Sequence, residues 1–485
     1  MAFQPLLAVK RFGLGSRPGE LAALRSDPRG SVIAQLGNAA ASVTSDHPPS
    51  SALPGTTREA FVVARRYQIE NSIAASTKLV AAELPKPTEV AIAAPTMATA
   101  GQVTKAVAQV PVATPQRPPD PANQIFQAEV EARFKRAVAT SAPFVERLVW
   151  FWSNHFCVAV NKDQMIRATA GAYEREVIRP NVLGRFRDML GGVVHSIAMQ
   201  NFLDNRGSVG PNSLVGRWHK RGLNENLARE LMELHTLGVE GGYSQTDVTQ
   251  LARILTGWTI ADMDAVDPGA TVFIAEAHDP GPIEVMGKTY AEPGRGQLDQ
   301  ALDDLARHPS TATFIAGKLA GHFIGADAPP ALVDTLAETF RRTDGHLGEV
   351  AKALVSSDHA WAPAAPRTIP PWDYAVSVGR ALEIDLPIWM VNRIVDLLGQ
   401  RTWEVPSPKG WADDEDWSGT AALLERLDWA DDIGRRFAGQ RDVSALVQSL
   451  FEDGLSRDTA TAVHRAESRQ QALALMLMSP EFQRR

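Results

Sequence analysis

The chain has 485 residues, 44% of them hydrophobic, with a formal charge of −7 and a pI near 5.9. That length buries one large or two ordinary domains, and the acidic balance argues against a nucleic-acid binder, which needs a concentrated basic surface. The single cysteine, Cys157, excludes an intramolecular disulfide and a cysteine-rich zinc site, which fits a reducing compartment and leaves the periplasm open.

Residues 1–37 read as a small helical element with a glycine turn at Gly13 to Gly15. The N-terminal apolar run is too short for a signal peptide, and no run of 18 apolar residues occurs, so no membrane span is expected. The location this implies is cytoplasmic, or periplasmic through co-export with a partner. Residues 38–120 are biased to Ala, Pro, Thr, Val and Ser and read as a linker or excursion, irregular over 81–120, with one helix from Arg58 to Val80. All 11 tryptophans follow residue 149, so the body is placed at 121–485.

Within that body the apolar period is helical. Helices are expected at 124–139, 143–157, 170–178, 181–203, 225–237, 245–257, 297–306, 309–323, 330–342, 347–356, 371–382, 387–399, 418–427, 442–453 and 467–477. Thr271–Ala275 and Ile283–Tyr290 flank His278 and are expected to pair as a small hairpin. The fold class is mainly α, a multi-helical body with a small β-hairpin near 271–290.

The densest punctuation lies between Asn224 and Trp258. Asn224 is a good N-cap, Gly238 ends the first helix, Gly241-Gly242 force a turn, and Ser244 with Asp247 makes a capping box. A left-handed φ at either turn glycine makes a side chain there costly. On an α projection Leu227, Leu231 and Leu234 form the apolar stripe. Glu230 and Glu233 then share one flank, His235 takes the other, and Glu225 pairs with Arg229 on the far side. A carboxylate at the margin of a buried stripe needs a partner, so Glu230 is expected to meet Arg253 or a histidine from another segment.

With these segments in place, the chain resembles the bacterial domain-of-unknown-function family 1800. The matching pieces are RFGLG (11–15), FWSNHF (151–156), NENLARELMELHTLGVEGGYSQTDV (224–248), LARILTGW (251–258), HDPGP (278–282), HPSTATFIAGKLAGHFIG (308–325), PSPKGW (406–411) and SPEFQRR (479–485). The resemblance implies a mostly helical protein. It also implies company with sulfatase-like proteins of domain-of-unknown-function family 1501, which often carry twin-arginine export signals. Two departures stand out: many members have a leader that this chain lacks, and a lysine often found after His278 is replaced here by Pro282-Ile283-Glu284.

Five side chains are candidate nitrogen and oxygen ligands for a divalent metal: His155, Glu230, Glu233, His235 and His278. Zinc, manganese or non-haem iron suits such a set. His155, Glu230, His278 and Asp279 are the candidate catalytic residues, as acids or bases. Each has a bland alternative. His155 also reads as a satisfied core histidine, Asp279 as an Asx-turn residue, and Glu230 as half of a salt bridge. Ser153 and Cys157 near His155 invite a nucleophile, but they read more simply as a helix-face residue and a small buried hydrophobe. Trp411 and Trp417 bracket Asp413, Asp414, Glu415 and Asp416; such aromatic faces hold a sugar or a cation, or anchor a solvated loop.

Two functions follow. One is an envelope-associated protein with a metal-assisted hydrolytic or redox site on the central helix-turn-helix. The other is a non-catalytic partner or assembly factor for an exported sulfatase-like protein of family 1501.

Overall fold

Prolines and short polar side chains mark where the helices begin. Asp120 accepts a bond from Ala122 N and starts Pro121–Ala139, with Pro121 where a missing N–H costs nothing. Ser196 accepts from Met199 N and divides the helix expected over 181–203 into Phe186–His195 and Ile197–Phe202. The Ser244 and Asp247 capping box forms as read, ahead of Gln245–Leu255. The computed structural model describes residues 4–44, 54–83, 119–219, 222–291, 294–412 and 417–485. The irregular segment expected over 81–120 falls mostly outside them, as does the acidic run 413–416. The helix expected from Arg58 runs Thr57–Glu83.

The protein is mainly α-helical, with two small antiparallel sheets of two strands each. Here the expected pairing needs correction. Thr271–Phe273 pairs with Trp258–Ile260, while Ile283–Val285 turns back on Lys288–Tyr290 as a hairpin of its own. Met286 and Gly287 at its tip have φ of 50° and 76°, the two left-handed residues a tight hairpin turn requires. A methionine is a poor signal for such a turn. Asp247 stabilises it by accepting the Met286 N–H at 2.6 Å.

Helix Pro143–His155 is apolar nearly all round and almost entirely buried, as a helix inside a large core must be. Leu148, Val149, Phe151 and Trp152 belong to one large cluster, which also holds Phe12 and helices 309–323, 330–342 and 347–356. Trp150 faces a second cluster built on Pro371–Leu382, Ile388–Leu397, Thr420–Phe437 and Arg469–Met478. The helix is thus a partition between two cores. Among the described residues no helix is long and apolar enough to cross a membrane.

Candidate functional site

The central helix departs from regular winding. Asn226–Glu230 is α-helical, but Leu231–Thr236 is π-helical. The wider i→i+5 turn advances the buried face relative to an α projection. Leu227, Ala228, Leu231, Met232, His235 and Thr236 are therefore buried, and Leu234 is not, correcting the expected stripe.

This winding brings His235 to His155, with ring centroids 6.1 Å apart. His155 Nε2 donates to His235 O at 3.1 Å, and the Nδ1 atoms of both rings are buried without a partner. Both are neutral bases. Burial pushes His235 down to about 3, and burial with the charge of Lys318 holds His155 well below its ordinary value.

Glu230, close to His235 in sequence, is half-buried, and no hydrogen bond or ion pair holds it among the described residues. Burial first, and Glu233 second, raise its carboxyl pKa. The expected contact with Arg253 is absent because Arg253 Nε is bonded to Asp279. Arg229 pairs with Glu225 at 3.1 Å, as read.

His278 lies elsewhere. Its Nδ1 is 2.9 Å from Thr256 O and its Nε2 2.9 Å from Gln297 Oε1, so both nitrogens are occupied within the fold. Asp279 is fully buried, accepting the Asn212 N–H at 2.9 Å as well as Arg253, and acts as a structural tie. Of the five candidate ligands, the fold joins His155 with His235, and Glu230 with Glu233. No group of three or more His, Cys, Asp or Glu side chains placed to hold a metal occurs among the described residues.

A deep concavity lies at the seam of the two cores. It encloses about 650 Å³, and its lining draws on helix 143–155, the segment 366–373, the loop 400–412 and the end of the chain. Among the described residues, six arginines line it, against one carboxylate, Asp373. Arg133 is answered from behind by Glu174 at 3.0 Å, and Arg401 by Asp396 and Glu404 at 3.1 and 3.2 Å. Arg147 and Arg485 share Asp373, at 2.9 and 3.1 Å from the same oxygen. All three are buried, so the trio carries a desolvated surplus of one positive charge. Burial lowers the Arg147 pKa to about 10, with Arg485 adding to the effect against Asp373. Burial opposes the charge on Asp373, but the two arginines more than offset it and hold its carboxyl below the usual range.

Indoles form much of the remaining wall. The Arg133 guanidinium lies 5.6, 4.8 and 5.4 Å from the ring centroids of Trp150, Trp372 and Trp403. Trp411 and Trp417 meet at 5.7 Å and 59°. Trp150 Nε1, Trp372 Nε1, Thr402 Oγ1 and Arg485 Nε are buried on these lining residues without partners, a concentration of unsatisfied groups that needs an explanation in a folded protein. Neither Cys157 nor Ser153 in this wall is an activated nucleophile. Burial pushes the Cys157 thiol up to about 12, and its Sγ donates to Pro408 O at 3.2 Å. Ser153 Oγ donates to Glu174 at 2.8 Å.

A family model described as "Protein of unknown function (DUF1800)" matches residues 7–484. The chain belongs to DUF1800. No curated protein and no solved structure matches it. Some of the motif pieces of this DUF1800 chain meet at the cavity. FWSNHF supplies Ser153 and Asn154, PSPKGW supplies Trp411, and SPEFQRR supplies Arg484 and Arg485. RFGLG supports it from behind: Gly13 O accepts Arg147 Nε at 2.6 Å, Leu14 O accepts Ser377 Oγ, and Gly15 O accepts Arg380 Nε. Sequence reasoning centred on the helix-turn-helix and passed over Arg133, Arg147, Asp373 and Arg485. Of these only Arg485 lies in a motif piece, SPEFQRR, so the sequence carried a signal for it and none for the other three.

Proposed function

We propose that this DUF1800 protein binds a small organic anion in the cavity between its two cores. The observation that carries this is the buried trio Arg147, Asp373 and Arg485, two guanidinium groups on one carboxylate in the wall of a 650 Å³ cavity. Arginine forks suit carboxylate, phosphate and sulfate oxygens, and a dry site strengthens such bonds. The test is equilibrium dialysis of the whole protein against labelled inorganic sulfate and phosphate. One anion per chain is expected at millimolar concentration. Arg485→Gln should abolish that uptake and Arg485→Lys should retain part of it. No uptake of either ion by the folded wild-type protein would overturn the proposal.

The metal-assisted hydrolytic or redox function placed on the helix-turn-helix has less support, since its donors come in pairs. The second proposal that an observation favours is docking on an exported sulfatase-like protein of family 1501, with action in the envelope. Leu423, Leu424 and Leu427 are 43%, 58% and 46% exposed on helix Thr420–Phe437, an apolar stripe of the kind partners cover. Co-purification of the two proteins, lost on Leu424→Glu with the fold intact, would support it, and co-purification unchanged by that substitution would overturn it.

A further inference from the structure

We infer that the occupant of the cavity is an acidic sugar unit, whose ring lies on Trp411 while its acidic group reaches the Arg147 and Arg485 guanidinium groups. This rests on the anion-binding proposal for the same cavity. The argument starts from how each lining group is already employed. The three indoles nearest Arg133 have that guanidinium over their rings, and Trp150 and Trp372 also pack edge to face at 6.2 Å. Trp411 is engaged differently. It is half-buried, meets Trp417 at a tilted 59°, has no guanidinium over its ring among the described residues, and lines the cavity.

The neutral polar groups narrow the chemistry further. Gln400 Oε1 accepts the Trp372 N–H at 2.9 Å, which turns its amide NH₂ to other use. Thr402 Oγ1 is buried and unpartnered, and Thr368 adds a second hydroxyl to the lining. A bare inorganic anion would use the arginines and leave both the indole face and these groups idle. A purely aromatic anion would use the indole and arginines but bury the amide and hydroxyls unpaired, which is costly. A ring that carries hydroxyl groups at its edges, an apolar face of C–H groups and one acidic substituent satisfies all three sets.

The test is titration calorimetry on the whole protein. The probes are D-glucuronate, D-glucose 6-phosphate and D-glucose 6-sulfate, each beside its bare counterpart acetate, phosphate or sulfate, with phenyl sulfate as the aromatic control. An aromatic contact near 1 kcal/mol plus new hydrogen bonds corresponds to about tenfold in affinity. At least one acidic sugar should therefore bind about tenfold tighter than its bare anion, and the tightest of the three identifies the acidic group. Trp411→Ala should remove most of that advantage while leaving the bare anion's affinity unchanged. Trp411→Phe should keep it, which guards against a folding defect.

Acidic sugars that bind no tighter than their bare anions would overturn the sugar assignment and leave the anion proposal standing. So would phenyl sulfate binding tighter than every acidic sugar. If neither bare anions nor acidic sugars bind, the anion proposal itself falls.

Discussion

Asn154 holds the backbone of Trp411 at both of its polar groups. Its Nδ2 donates to Trp411 O at 2.8 Å, and its Oδ1 accepts the Trp411 N–H at 2.8 Å. The neighbouring Gly410 has φ of 78°, and a Cβ there would come within 2.6 Å of Asn154 O. Two family motifs 257 residues apart are thus locked by one side chain and one missing side chain. Asn154→Ala should cost about 1–3 kcal/mol, the net worth of two hydrogen bonds. Gly410→Ala should cost at least as much, through left-handed strain and the clash. Chemical denaturation checks both, and near-ultraviolet circular dichroism should report the displaced indole.

Asp373 is the carboxylate that two buried guanidinium groups share. Asp373→Ala leaves both uncompensated and should destabilise by about 3–5 kcal/mol, the usual result of removing one partner of a buried pair. Arg485→Gln should cost much less, since Arg147 still neutralises Asp373. Comparing the two variants by urea unfolding measures how far stability depends on the trio, separately from any ligand.

Glu230 offers a test with the opposite sign. Its carboxyl pKa is raised above the ordinary 4.5 by burial and by Glu233. The folded state then binds the proton more readily than the unfolded chain does. Relative to neutral pH, this group favours the fold below pH 4.5, and the benefit is lost as pH rises through the higher folded value. At pH 7 the charge is a burden, so Glu230→Gln should stabilise the protein. Partial exposure keeps the gain to roughly 0.5 kcal/mol. A loss of stability at pH 7 would mean that the carboxylate has a partner.

The buried histidines shape the acid limb of stability. The ordinary histidine value is 6.5, and burial takes His235 to about 3 in the folded state. Between those values the unfolded chain holds a proton that the folded chain does not, so stability should fall as pH drops through the window. His155 acts in the same direction. His235→Leu should flatten the pH dependence between pH 6.5 and 3, as seen in thermal unfolding at stepped pH.

Local signals carried well from sequence to structure. The capping box at Ser244, the pairing of Glu225 with Arg229, and the left-handed Gly238 and Gly242 all follow from residues within a few positions of one another. Non-local competition did not carry. Nothing near Glu230 shows that Asp279, 26 residues beyond Arg253, would take that arginine. No residue pattern marks the switch from α to π winding at Leu231, yet that switch decides that His235 is core and Leu234 is not. The cavity was least legible, because its wall runs from Arg133 to Arg485. Trp411 was readable as a sugar platform or a loop anchor, and the tie to Asn154 shows that it anchors its loop while also lining the cavity.

The last residues of the chain lie alongside the segment before Trp372. Arg367 N donates to Arg485 O at 3.0 Å, Arg485 N to Arg367 O at 2.9 Å, and Ile369 N to Gln483 O at 2.8 Å. These bonds clasp two distant stretches of sequence, and Arg485 reaches Asp373 only while the clasp is closed. A protease that cuts after Met478 would release it, taking Arg485 from Asp373 and one wall from the cavity.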